Sequence, residues 1–141
     1  VVKMADNYLQ FSEAFDIEHP EILKDIIEKY EKELEEDDDG YDNVIQFEYE
    51  FDEKRKTFWA HADECGEPSH LAEVLHRYLK ETNSDTVFSF EYAYTCSKMR
   101  CGEFGGAAIA ISRKKILWSE SSLQLVEKLK KQLKCKRTKN A

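Results

Sequence analysis

The sequence predicts an α+β fold: a four- to five-stranded, mostly antiparallel sheet, in the order α-ββ-α-ββ(β)-α, with helices packed mainly on one face. Three observations carry this. Apolar and polar residues alternate with period two in residues 44–62 and again in 86–112, and each stretch is broken by a short polar turn or loop. Apolar residues recur at helical spacing after Pro20 and after Pro68. Hairpins with helices segregated between them belong to layered α+β folds rather than to alternating parallel ones.

The elements follow in order. Residues 1–18 carry only scattered apolar side chains (Tyr8, Leu9, Phe11, Phe15), which suggests loose packing or a short helix. Pro20 suits a first helical turn, where its missing N–H is not needed. Ile22, Leu23, Ile26, Ile27, Tyr30 and Leu34 then share one face, so a helix is expected over about Pro20–Glu35. Val44–Phe51 reads as a strand with Ile45, Phe47, Tyr49 and Phe51 on one side and Gln46, Glu48 and Glu50 on the other. Lys56–Ala62 returns as its partner, with Phe58/Ala60/Ala62 and Thr57/Trp59/His61 as its two faces, and Trp59 competes with Phe58 for the inward position. Ser69 is the expected cap of a second helix, with Leu71, Ala72, Leu75, Tyr78 and Leu79 as its buried stripe. The organising stretch is Val87–Trp118, read as a long hairpin: Thr86–Thr95 with Phe88, Phe90, Tyr92 and Tyr94 on one face, then Gly106–Ser112, then a short apolar piece, Ile116–Trp118. Ser121 and Gln124 form a capping-box pattern ahead of a last helix carrying Leu125, Val126, Leu129 and Leu133.

A chain of 141 residues fits one domain, expected over 4–134, with Val1–Lys3 ahead of Met4 read as an appended remnant and 135–141 as a flexible basic tail. No apolar run approaches the length of about 18 residues that a spanning helix needs, and no leader-like opening is seen, so a cytoplasmic location is expected. Net charge is −8, unevenly spread: residues 128–141 hold seven Lys/Arg and no acid, leaving 14 basic and 29 acidic residues, a net −15, in the other 127. An acidic body repels phosphate backbones and attracts basic surfaces, so nucleic acid and membrane are not expected partners, while a protein partner or a second copy, as in a homodimer, is.

Two constellations stand out. His61 and Cys65 close one strand, and Cys96 and Cys101 close another; a strand-helix-strand connection sets those strands in the same direction, so all four are expected at one sheet end. Such ligands could hold zinc tetrahedrally, or Cys96 or Cys101 could serve as a reactive thiol with His61 as base. The ordinary reading is three buried or loop thiols and a strand histidine, with no cofactor. The second constellation is the sheet face away from the aromatics, where Glu48, Glu50, Trp59 and Glu91 are expected to form an interaction surface anchored by Trp59. The acidic run Glu35–Asn43 fails as a calcium loop, because its last ligand position falls on Gln46 instead of a bidentate Glu. Gly105-Gly106 lacks a phosphate-loop context and reads as a bulge or close backbone approach.

The words Phe90-Glu91-Tyr92-Ala93-Tyr94-Thr95-Cys96-Ser97-Lys98 and Gly102-Glu103-Phe104-Gly105-Gly106-Ala107-Ala108, with Trp118 and the opening Met4–Ser12, resemble a group of small uncharacterised bacterial and phage proteins. The resemblance implies an accessory or mobile-element role and assigns no residue a function. The expectation from sequence is therefore a non-enzymatic binding protein with an acidic surface, inhibitor- or immunity-like toward a basic protein partner. The alternative is a zinc- or thiol-dependent domain centred on His61, Cys65, Cys96 and Cys101.

Overall fold

Alternation at one end of the chain builds the middle of the sheet. In a computed structural model that describes residues 5–36 and 44–139, the segment NYLQFSEAFD forms a strand, β1 (Asn7–Asp16). It is followed by α1 (Pro20–Glu36), β2 (Glu48–Asp52), β3 (Thr57–Ala62), α2 (Pro68–Glu81), β4 (Phe88–Cys96), β5 (Gly105–Ile111), β6 (Ile116–Trp118) and α3 (Ser122–Lys139). The described residues thus form three helices and one open sheet of six strands, ordered β2-β3-β1-β4-β5-β6, with every neighbouring pair antiparallel.

β1 changes partner along its length. Asn7–Gln10 pair with Cys96–Ala93 of β4, and Phe11–Asp16 pair with Ala62–Thr57 of β3. On the β3 side of the first half, the chain leaving β3 takes over: Leu9 N–H donates to the Glu64 carbonyl at 2.8 Å, and Gly66 N–H donates to the Leu9 carbonyl at 3.1 Å. A side chain at residue 66 would stand 2.7 Å from both Ala62 Cβ and Phe11 Cε1, so only glycine allows this close passage.

One face of the sheet is the core. Phe11 and Phe15 of β1 meet Phe58 of β3 and Phe88 and Phe90 of β4, with ring centroids 5.4 Å apart for Phe15–Phe88 and 5.6 Å for Phe11–Phe90. Leu23, Ile26 and Ile27 of α1 and Leu71, Val74, Leu75, Tyr78 and Leu79 of α2 close over them. The two helices are tied by Arg77, which donates to both Glu33 carboxylate oxygens (3.1 and 2.9 Å) and through Nε to Glu73 at 2.8 Å. The Arg77 hydrogen bond holds the Glu33 carboxyl below the usual carboxylate range.

Several expectations need correction. Residues 5–18 are neither loose nor helical; Asn7–Asp16 supply a central strand, which raises the strand count from four or five to six. The first hairpin strand begins at Glu48, because Gln46 is drawn toward α2: its N–H donates to His70 Nδ1 and its carbonyl accepts from Glu67 N–H. The cap of α2 is Glu67, whose carboxylate accepts from Ser69 N–H and Oγ–H, and not Ser69 itself. The capping box of α3 forms as expected, Ser121 N–H to Gln124 Oε1 at 2.8 Å and Gln124 N–H to Ser121 Oγ at 3.3 Å. α3 runs on to Lys139, and every residue from Leu117 to Cys135 is exposed, so the third helix does not join the helical layer. Among the described residues no helix is long and apolar enough to cross a membrane.

The two neighbouring glycines of β5 differ in role. An added Cβ at Gly106 would lie 2.6 Å from the Tyr92 carbonyl oxygen, whereas one at Gly105 meets nothing within 4 Å. Gly106→Ala should therefore destabilise the fold by ~1–3 kcal/mol in urea denaturation, as overpacking does, while Gly105→Ala should change it by no more than ~0.5 kcal/mol.

Candidate functional site

Strand alternation sorts the sheet into a covered face and an open one, and the open face gathers residues from four strands. From β2 come Glu48 and Glu50, from β3 Trp59 and His61, from β1 Gln10 and Ser12, and from β4 Ser89 and Glu91. Phe58 and Ala60 are fully buried, so their neighbour Trp59 must point the other way, and it is 40% exposed. That decides the competition between Phe58 and Trp59.

Trp59 is held in place. Its ring stacks on His61 with centroids 3.9 Å apart and planes 23° from parallel. Its Nε1–H donates to Ser12 Oγ at 2.9 Å. His61 Nδ1 in turn lies 3.7 Å from a Glu48 carboxylate oxygen. Register explains the cluster: Glu48 and Ser12 flank His61 in the ladder, and Glu50 flanks Trp59. A large aromatic ring fixed by stacking and one hydrogen bond loses little freedom on contact, which suits it to anchor a partner.

Beside this cluster the β1–β4 ladder stops at Gln10–Ala93, and a concavity of about 390 Å³ opens, lined by Ser12, Glu13, Ser89, Phe90, Glu91 and Ala108. Glu13 falls on the core parity of β1, opposite buried Ala60, yet it is exposed and accepts a hydrogen bond from Ala14 N–H at 3.1 Å. The open face thus combines an aromatic anchor with Glu48, Glu50 and Glu91, with Glu13 at the edge of the concavity, a negative field over a surface without helical cover among the described residues.

The four residues considered for zinc or thiol chemistry are placed differently. β3 and β4 do run in the same direction and finish at the same end of the sheet, as the strand-helix-strand connection requires, but β1 lies between them. His61 faces the open side with Trp59, whereas Cys96 is buried on the core side, where its Sγ–H donates to Glu103 at 3.0 Å. Cys65 and Cys101 are exposed. Among the described residues no group of three or more His, Cys, Asp or Glu is arranged to hold a metal ion. Residues 37–43, most of the acidic run, lie outside the described residues.

Of the expected interaction residues, Glu48, Glu50, Trp59 and Glu91 all fall on the open face. Ser12 and Glu13 were not foreseen, because β1 itself was not; the signal was the spacing of Leu9, Phe11 and Phe15, broken at Glu13.

A second exposed surface belongs to α3. At 100° per residue, Leu125, Val126, Leu129 and Leu133 fall within an arc of about 100°, and Lys128, Lys130, Lys131 and Lys134 lie outside it. All eight are exposed. Leu129 and Leu133 are 61% and 65% exposed, and no described residue of α3 through Cys135 is buried.

No protein-family model, curated protein or solved structure matches this chain.

The opposite placement of Phe58 and Trp59 has a measurable signature. Phe58→Ala should cost ~3–5 kcal/mol in chemical denaturation, and Trp59→Ala no more than ~1 kcal/mol, as for an exposed side chain with one hydrogen bond. A reversed order would place Trp59 in the core.

Proposed function

We propose that this chain is a non-enzymatic binding protein whose acidic open sheet face engages a basic protein surface. The observation that supports this most is the pinned Trp59–His61 stack standing with Glu48, Glu50 and Glu91 on a face without a helical cover among the described residues. The carboxylates speed encounter with a cationic partner and reject anionic ones, and the aromatic pair supplies apolar contact once water is expelled. In its most concrete form the role is inhibitor- or immunity-like, with this face covering the basic groove of an enzyme that handles nucleic acid. The net −15 of the chain ahead of residue 128 suits such a groove, because it presents the charge that the groove evolved to accept.

Affinity capture from a cell lysate, run in parallel with the wild-type chain and the triple variant Glu48→Lys/Glu50→Lys/Trp59→Ala, tests the reading. A basic protein retained by the wild type at low salt, released as salt is raised, and not retained by the variant is the expected outcome. Retention of the same proteins by both baits, or of nothing by either from a wild-type chain that is itself monomeric, would refute the open face as the binding surface.

A further inference from the structure

We propose that the basic surface recognised by the open face is α3 of a second copy of this chain, exchanged reciprocally in a two-fold dimer. The inference rests on the docking role assigned to that face and names its occupant. Among the described residues, the open sheet face and α3 both lack cover, and they are complementary. The first is the sheet face with Trp59, 40% exposed, which also carries Glu48, Glu50 and Glu91. The second is α3, whose leucine arc is exposed and whose stretch from residue 128 onward carries seven Lys/Arg and no acid. A helix with an apolar arc flanked by lysines presents what the face lacks: apolar area for Trp59 and cations for Glu48, Glu50 and Glu91.

Position favours exchange between copies. α3 leaves the sheet at β6, one edge, whereas Trp59 and Glu50 sit on β3 and β2 at the other. β6 and β3 are four strand spacings apart, about 19 Å, and α3 is exposed along Ser122–Cys135 instead of lying across its own sheet. In a two-fold arrangement each copy gives its helix and receives the other's, so the same contact forms twice and the assembly closes.

The test uses three full-length chains whose substitutions are all at exposed positions, with mass measured by light scattering after gel filtration. One carries Leu129→Glu/Leu133→Glu in the helix; one carries Glu48→Lys/Glu50→Lys/Trp59→Ala in the face. The wild type should have twice the chain mass at low salt and lose it at high salt. Each variant alone should be monomeric. An equal mixture of the two should recover a dimer containing one copy of each, because one intact helix still meets one intact face. A face variant that remains dimeric would mean that the helices pair with each other, and overturns the proposal. So does a mixture that stays monomeric. A monomeric wild type also overturns it, yet leaves the docking role of the face standing if the capture experiment returns a basic partner.

Discussion

β1 pairs with different strands over its two halves, and the rest of the molecule depends on that division. β3 and β4 point the same way and would each present an unpaired backbone edge if β1 were absent. By pairing with β4 through Asn7–Gln10 and with β3 through Phe11–Asp16, one strand joins two hairpins into a single sheet. Phe11 and Phe15 then stand at the centre of the aromatic core, between rings contributed by both halves. The same partner change ends the β1–β4 ladder midway and leaves the concavity edged by Glu13 and Glu91.

The open face inherits its chemistry from this arrangement. Once Phe11, Phe15, Phe58 and Phe90 turn toward the helices, alternation leaves Ser12, Trp59 and Glu91 no direction but outward. Ser12 is a β1 residue, so the hydrogen bond that steadies Trp59 exists only because β1 lies beside β3. The stack, the carboxylates and the concavity are therefore one consequence of sheet order. α3 stands apart from it: the helix has the composition of a packed element, yet its apolar arc is exposed among the described residues.

Much of this was legible in sequence. Helical periodicity located α1 and α2 to within a residue or so, because their buried stripes are continuous and local. Parity along β2 and β4 assigned Glu48, Glu50 and Glu91 to one face, since side chains alternate whatever the partner strand. β1 was lost for two physical reasons. Glu13 occupies the slot where alternation calls for an apolar residue, and a strand's neighbours are chosen by contacts far away in sequence, which no local pattern reports. The same omission bears on His61, Cys65, Cys96 and Cys101: strand direction and the shared sheet end were inferred correctly, but an unseen strand lies between β3 and β4, and parity turns His61 and Cys96 to opposite faces. For α3, periodicity shows that an apolar arc exists and is silent on whether its cover lies in the same chain.

Hydrogen exchange of the backbone amides, resolved by residue on the full chain, bears most directly on the central place of β1. An N-terminal segment that merely packs on the surface would exchange within the fast, fraying class, as termini do. A strand paired with β4 over Asn7–Gln10 and with β3 over Phe11–Asp16, and roofed by Phe11 and Phe15, should release its ladder-bonded amides only with global unfolding. The account predicts that the amides of Leu9–Phe15 bonded to the β3 side or to β4 fall among the slowest of the protein, together with those of β3 and β4, whereas Ala14, whose N–H bonds only to exposed Glu13, exchanges faster. Fast exchange throughout Leu9–Phe15, with β3 and β4 still protected, would contradict it, because the two hairpins would then be held together by something other than β1.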